Sequence, residues 1–127
     1  TLSPRQRLRA AIDVFIAYYE ARPDSYRLIF MTEQTYKESV ESRWVDAPIY
    51  QEALRNAQNM TRDVAQQIGG DPKRARLASD LRYIMCTGYL HGRLINTRYP
   101  WLDLDALRTV AIEQIAVAVE NCLLTQA

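Results

Sequence analysis

The segment from Asp103 almost to the C-terminus most constrains the fold, because it reads as one long helix with too little polar surface for the edge of a small domain. Projected at about 100° per residue, Leu104, Leu107, Ala111, Ile115, Ala118 and Cys122 share one side. Ile112, Ala116, Val119 and Leu123 lie next to them, and Val110 and Val117 extend the arc the other way. The plainly polar part is a narrow strip with Thr109, Glu113 and Glu120. A surface helix needs one apolar stripe of roughly 100°. This helix carries far more, so its surplus must be covered by something.

The helix before it has the same property. Asp71-Pro72 pairs a capping side chain with a proline start, and the pattern predicts a helix to about Arg98, spanning roughly 40 Å. Leu77, Leu81, Ile84, Met85, Gly88, Gly92 and Ile95 form one apolar side, and Tyr83, Cys86, Leu90 and Leu94 the other. Two antiparallel helices with apolar surface left over point to a two-fold four-helix bundle, two helices from each protomer. The expected interface is Leu81, Ile84, Gly88, Gly92 and Ile95 with Leu107, Ala111, Ile115, Ala118 and Cys122. The plainer alternative is that other helices of the same chain cover everything. Gly88 and Gly92 stack on one helix face, where missing side chains let another helix approach. Each costs about 1 kcal/mol in a helix interior, so the pair wants a packing reason.

Proline and glycine punctuate the rest into helices. Ser3-Pro4 opens the first, in which Leu8, Ala11, Ile12, Phe15, Tyr18 and Tyr19 recur at helical spacing. Arg7, Arg9, Asp13 and Glu20 fall largely on its other side, and Arg22-Pro23 ends it. A short helix follows from Asp24 to Met31, capped by Asp24 and expected to be buried. Thr32 to Ala47 reads either as a short helix or as an ordered loop. Pro48 starts a further helix that Gly69-Gly70 ends. The expectation is an all-α bundle of about five or six helices in a single domain, residues 1 to 127.

Bulk properties narrow the function. A chain of 127 residues buries a real core without disulfides or metal. A net charge of +1 argues against holding nucleic acid by its own field. Cys86 and Cys122 read as reduced core or interface thiols. No apolar run reaches the length of a bilayer span and the first residues lack signal-peptide order, so the default compartment is the cytoplasm.

Catalytic and metal patterns do not assemble. His91, the single histidine, has no acid or cysteine three or four positions away, so helical metal spacings are missing, and there is no nucleophile elbow or phosphate-cradling glycine loop. The reading is no metal, no cofactor and no enzyme. Aromatic residues are the unusual feature: Phe15, Tyr18, Tyr19, Tyr26, Phe30, Tyr36, Trp44 and Tyr50, with Met60, all precede the long helix pair. Tyrosine offers a large apolar face and one polar tip, which suits a cavity that sorts small molecules by shape; a core of large rings with hydroxyls reaching solvent is the plainer reading. The candidate ligand-binding residues are Phe15, Tyr18, Tyr19, Tyr26, Phe30, Trp44, Tyr50, Met60, Tyr89 and His91. Two other functions stay open: a small helical enzyme with His91 as acid–base group, and a structural helical adaptor.

The string Arg22-Pro23-Asp24-Ser25-Tyr26-Arg27-Leu28-Ile29-Phe30, and His91-Gly92 in a long apolar helix followed by a final amphipathic one, resemble elements of the TetR-family transcriptional regulators. The resemblance implies an all-α regulatory domain that binds a small apolar or aromatic inducer and homodimerises through its last two helices. It also implies an N-terminal helix-turn-helix domain for operator DNA, which these residues do not contain. The chain is then expected to be a regulatory domain that does not bind operator DNA by itself.

Overall fold

A computed structural model describes residues 1–31 and 48–125, with the side chains of Met31, Ile49 and Tyr50 outside that description. The described residues form five α-helices and no strand: α1 Pro4–Glu20, α2 Pro23–Met31, α3 Pro48–Ile68, α4 Ala75–Leu94 and α5 Leu104–Leu124. The reading of Thr32 to Ala47 lies outside them. None of the helices is long and apolar enough to cross a membrane.

Local chemistry sets the helix ends. At α1 the Ser3 hydroxyl accepts from the Gln6 amide at 3.2 Å while the Gln6 side chain accepts from the Ser3 amide at 2.8 Å. This reciprocal box satisfies two of the donors that a helix start leaves open. Leu8, Ile12 and Ile16, four apart, form the buried stripe. Pro23, not Asp24, opens α2: the Arg22 carbonyl accepts from the Tyr26 amide at 3.1 Å, and Asp24 sits inside the first turn, paired with Arg27. Proline is pre-set for that first position, and a carboxylate in the next is favoured by the helix dipole. Nor is α2 buried as a whole. Tyr26 is buried and Phe30 half-buried one turn on, but the helical period turns Leu28 to the opposite side, where it is 67% exposed.

Gly69 ends α3 in the left-handed region at φ +74°, and the Gly70 amide reaches back to the Ala65 carbonyl at 2.8 Å. That six-to-one bond is the usual glycine stop. Gly70 has a second reason to be glycine: a methyl there would lie 2.7 Å from the Leu123 carbonyl oxygen. The chain runs so close that the Asp71 amide donates to the same carbonyl at 2.8 Å. The expected helix start at Asp71-Pro72 is a 3₁₀ turn, Pro72–Arg74, capped by Asp71, and the α-helix proper begins at Ala75. It also stops short of Arg98. The His91 carbonyl accepts from both the Ile95 and Asn96 amides at 3.0 Å, and the indole of Trp101 donates to the Asn96 carbonyl at 3.1 Å, folding the chain back. Asp103 caps α5 at the Ala106 amide, as its position predicts.

α4 and α5 pack antiparallel: Arg74 donates to the Cys122 carbonyl at 2.6 Å at one end, and Arg93 meets Asp105 at 3.5 Å at the other. α1 lies against both, and α3 packs on α4, where buried Ser79 donates to Thr61 and Thr61 to the Ala57 carbonyl. The core joins Leu8, Ile12, Ile16, Tyr26, Val64, Leu90, Val119 and Leu123. At about 25 cal/mol per Å² of apolar area removed from water, such burial is the main term favouring the fold.

Thr109 of the polar strip of α5 is exposed, but its two acids are paired with α1. Glu120 takes Arg5 at 2.6 Å, Glu113 takes Arg9 at 2.6 Å and Arg5 at 3.3 Å, and Arg108 holds Glu20 at 2.8 Å and also Asp13. Much of the charged side of α1 that reads as solvent-facing is therefore the seam with α5. This seam rotates α5 about its axis. Ile115, expected at a dimer interface, is turned into the core at 2% exposure.

Candidate functional site

Two places remain candidates after the fold is built: an aromatic cluster between α1, α2 and α4, and the outer face of the α4–α5 pair. Tyr19 is the hub of the first, with ring centroids 5.3 Å from Phe15 and 5.6 Å from both Tyr26 and Phe30. Tyr26 stacks on Phe30 at 4.5 Å. Edge-to-face and offset pairs of this kind add to simple burial. The buried Tyr26 hydroxyl donates to the Thr87 carbonyl at 3.1 Å, tying α2 to α4. Burial, helped by Tyr19, pushes that phenol up to about 12, so it stays a neutral donor.

Phe15, Tyr19, Tyr26 and Phe30 are thus brought together as expected, and Met60 packs on the same core from α3. Tyr83 of α4 joins them, 6.1 Å from Phe15 and 6.4 Å from Phe30. It is absent from the ligand residues expected above and stands at the edge of the cluster, 41% exposed; its place on one helix side with Cys86 and Leu90 was the signal. Three expected residues lie elsewhere. Tyr18 is exposed and carries the Arg22 guanidinium over its ring at 4.1 Å. Tyr89 accepts from Arg93 at 3.1 Å and lies 3.4 Å from Glu20, within the charged seam; burial raises its pKa. His91 is exposed on the outer side of α4, with no hydrogen bond or ion pair of its side chain among the described residues. The helix period explains this, since residues 84, 88 and 91 share a stripe. Trp44 and the Tyr50 side chain lie outside the described residues.

Chemistry around these groups is sparse. Among the described residues no three of His, Cys, Asp and Glu are grouped as for a metal ion, and His91 is not joined to a tyrosine or a carboxylate. Both cysteines are free thiols; burial pushes Cys86 up to about 11, which keeps it protonated.

The outer face is apolar. On α4, Leu77 is 56% and Ile84 65% exposed, with Gly88 between Ile84 and His91. On α5, Leu107 and Val110 are exposed, Val110 at 54%, and Leu124 continues the side. Of the expected interface, Ile84, Gly88 and Leu107 are open, and Leu81 and Ala118 half-buried. Ile95, Ala111 and Cys122 pack partly on the core. Gly92 is covered from within: a methyl there would lie 3.1 and 3.2 Å from two ring carbons of Trp101, whereas one at Gly88 meets nothing within 4 Å. The two glycines share a helix face but not a neighbour. Leu77 and Val110 are exposed members that the expected interface omits.

No protein-family model matches the chain, and no curated protein and no solved structure matches it.

Proposed function

We propose that this chain is the ligand-sensing and homodimerising domain of a TetR-type transcriptional regulator. The observation that carries the reading is the pair of outward apolar stripes, Leu77 and Ile84 on α4 with Leu107 and Val110 on α5, in a domain whose last helix pairs Glu113 and Glu120 with α1. A folded monomer has little reason to keep large aliphatic side chains in two adjacent helices facing water. A second copy related by a two-fold axis covers both stripes at once. In this reading the aromatic cluster borders the site of a small apolar or aromatic inducer. Operator DNA is contacted by a helix-turn-helix domain that these residues do not supply. The inducer acts by shifting the population of dimers with DNA-competent spacing.

Sedimentation equilibrium tests the dimer. The chain is expected to sediment as a dimer at high micromolar concentration, and Ile84→Glu as a folded monomer with unchanged helical circular dichroism. A wild-type chain that stays monomeric under those conditions removes the reading.

A further inference from the structure

The charges where α1, α4 and α5 meet converge on one residue. Glu20, the last residue of α1, offers one carboxylate oxygen to Arg108 of α5 at 2.8 Å and the other to Arg93 of α4 at 3.1 Å. Arg93 stands in the last turn of α4 and Arg108 in the second turn of α5, on either side of the connection between them. A single carboxylate therefore sits between two guanidiniums, one from each helix of the pair that carries Ile84, Leu107 and Val110 outward. Arg108 directly follows Leu107 of that outer face.

The other acids at this junction are Asp105, 3.5 Å from Arg93, and Asp13, beside Arg108. Their side chains are 91% and 53% exposed, whereas that of Glu20 is 18% exposed. Water screens the first two, so the least screened attraction on both arginines is that of Glu20. The Tyr89 hydroxyl accepts from Arg93 at 3.1 Å and lies 3.4 Å from Glu20, but burial raises its pKa, so it brings no negative charge. Without the Glu20 charge, two cations are left close together where α4 and α5 adjoin.

We propose that Glu20 is a positioning residue for the dimer face: by neutralising Arg93 and Arg108 together it keeps the adjoining ends of α4 and α5 drawn in, so that their outer stripes meet a second copy as one surface. This rests on the homodimer reading and adds a control point on α1, the helix that packs behind the pair. A free protomer that lacks the Glu20 charge relieves the repulsion by letting the two helix ends splay. A dimer cannot do so without parting its stripes from the partner, because a packed interface depends on shape complementarity. Each two-fold dimer contains two such junctions, so the effect counts twice.

The test is sedimentation equilibrium of the full chain at low salt, with helical circular dichroism as the check on folding. Glu20→Gln keeps the size of the side chain and one acceptor oxygen but removes the charge. It is expected to stay folded and to weaken the dimer by about tenfold. Arg108→Met alone is expected to weaken it by less than about threefold, since Glu20 still holds Arg93. Combining the two substitutions removes the repulsion and is expected to recover most of the wild-type affinity. High salt is expected to narrow the gap between Glu20→Gln and wild type. A double variant no tighter than Glu20→Gln, or a gap that salt leaves unchanged, overturns the proposal and makes the junction ordinary packing. Loss of the helical signal in Glu20→Gln also overturns it, since Glu20 is then needed for folding. Wild-type affinity in Glu20→Gln overturns it while leaving the dimer reading intact, whereas a monomeric wild-type chain overturns both.

Discussion

The two edges of the last helix behave in opposite ways. Its acidic edge, Glu113 and Glu120, is turned inward and gripped by Arg5 and Arg9, while Leu107 and Val110 on the other edge face out. In most small domains the acids would take the water and the aliphatic side chains the core. The difference teaches that the seam between α1 and α5 is closed by charge pairing, and that the aliphatic side chains on the opposite edge are left exposed in the single chain. Charged seams of this exposure are individually weak; their value lies in fixing how α5 is rotated.

The largest expected effect separates the buried side of α5 from its outer side. Ile115→Ala removes a core side chain and is expected to cost about 3 kcal/mol by urea denaturation. Val110→Ala, one and a half turns away on the outer side, is expected to change the stability of the monomer by less than about 0.5 kcal/mol. Similar losses at both positions would mean that the helix is rotated from the orientation described here. Next comes Gly92→Leu, which must displace the Trp101 ring and is expected to cost about 2 kcal/mol, with a change in tryptophan fluorescence. A variant with wild-type stability would place Trp101 away from α4.

The charged seam gives a smaller effect. Arg108→Met releases Glu20 and Asp13 but leaves Arg93 on Glu20. A loss of about 1 kcal/mol is expected at low salt, discounted for solvent, and it should shrink as salt screens the pairs. A loss that does not respond to salt would assign Arg108 a packing role instead.

Helix existence was legible because Ser3-Pro4, Pro48, Gly69-Gly70 and Asp103 each carry a physical signal that acts locally. The inner and outer sides of α4 were legible too, since the 3.6-residue period alone separates Cys86 and Leu90 from Leu77 and Ile84. What the period cannot supply is phase against a partner element. Ile115 and Val110 both lie on an apolar arc, and only the pairing of Glu113 and Glu120 with α1 decides which one is buried. The same limit explains the candidate site. Tyr18 and Tyr19 are neighbours with the same chemistry, yet Tyr19 joins Phe15, Tyr26 and Phe30 while Tyr18 carries Arg22 outside. Composition identified an aromatic cluster; long-range packing selected its members.

The finest test of the two-edge picture is Gly88→Ala. In the helix a glycine costs about 0.5–1 kcal/mol relative to alanine, through its greater freedom in the unfolded chain. A methyl at Gly88 has open space around it within one protomer, so the substitution is expected to raise the stability of the monomer by about that amount. A dimer crossing at Gly88 sees the opposite effect. There the methyl appears twice, once from each protomer, and pushes the helices apart where close approach was the reason for glycine. The expected result is therefore a chain that unfolds at higher urea concentration when dilute, yet dissociates more readily in sedimentation. A gain in stability with unchanged association would show that the two-fold crossing lies elsewhere along Leu77 and Ile84. A loss of monomer stability would show that another part of this same chain already sits over Gly88.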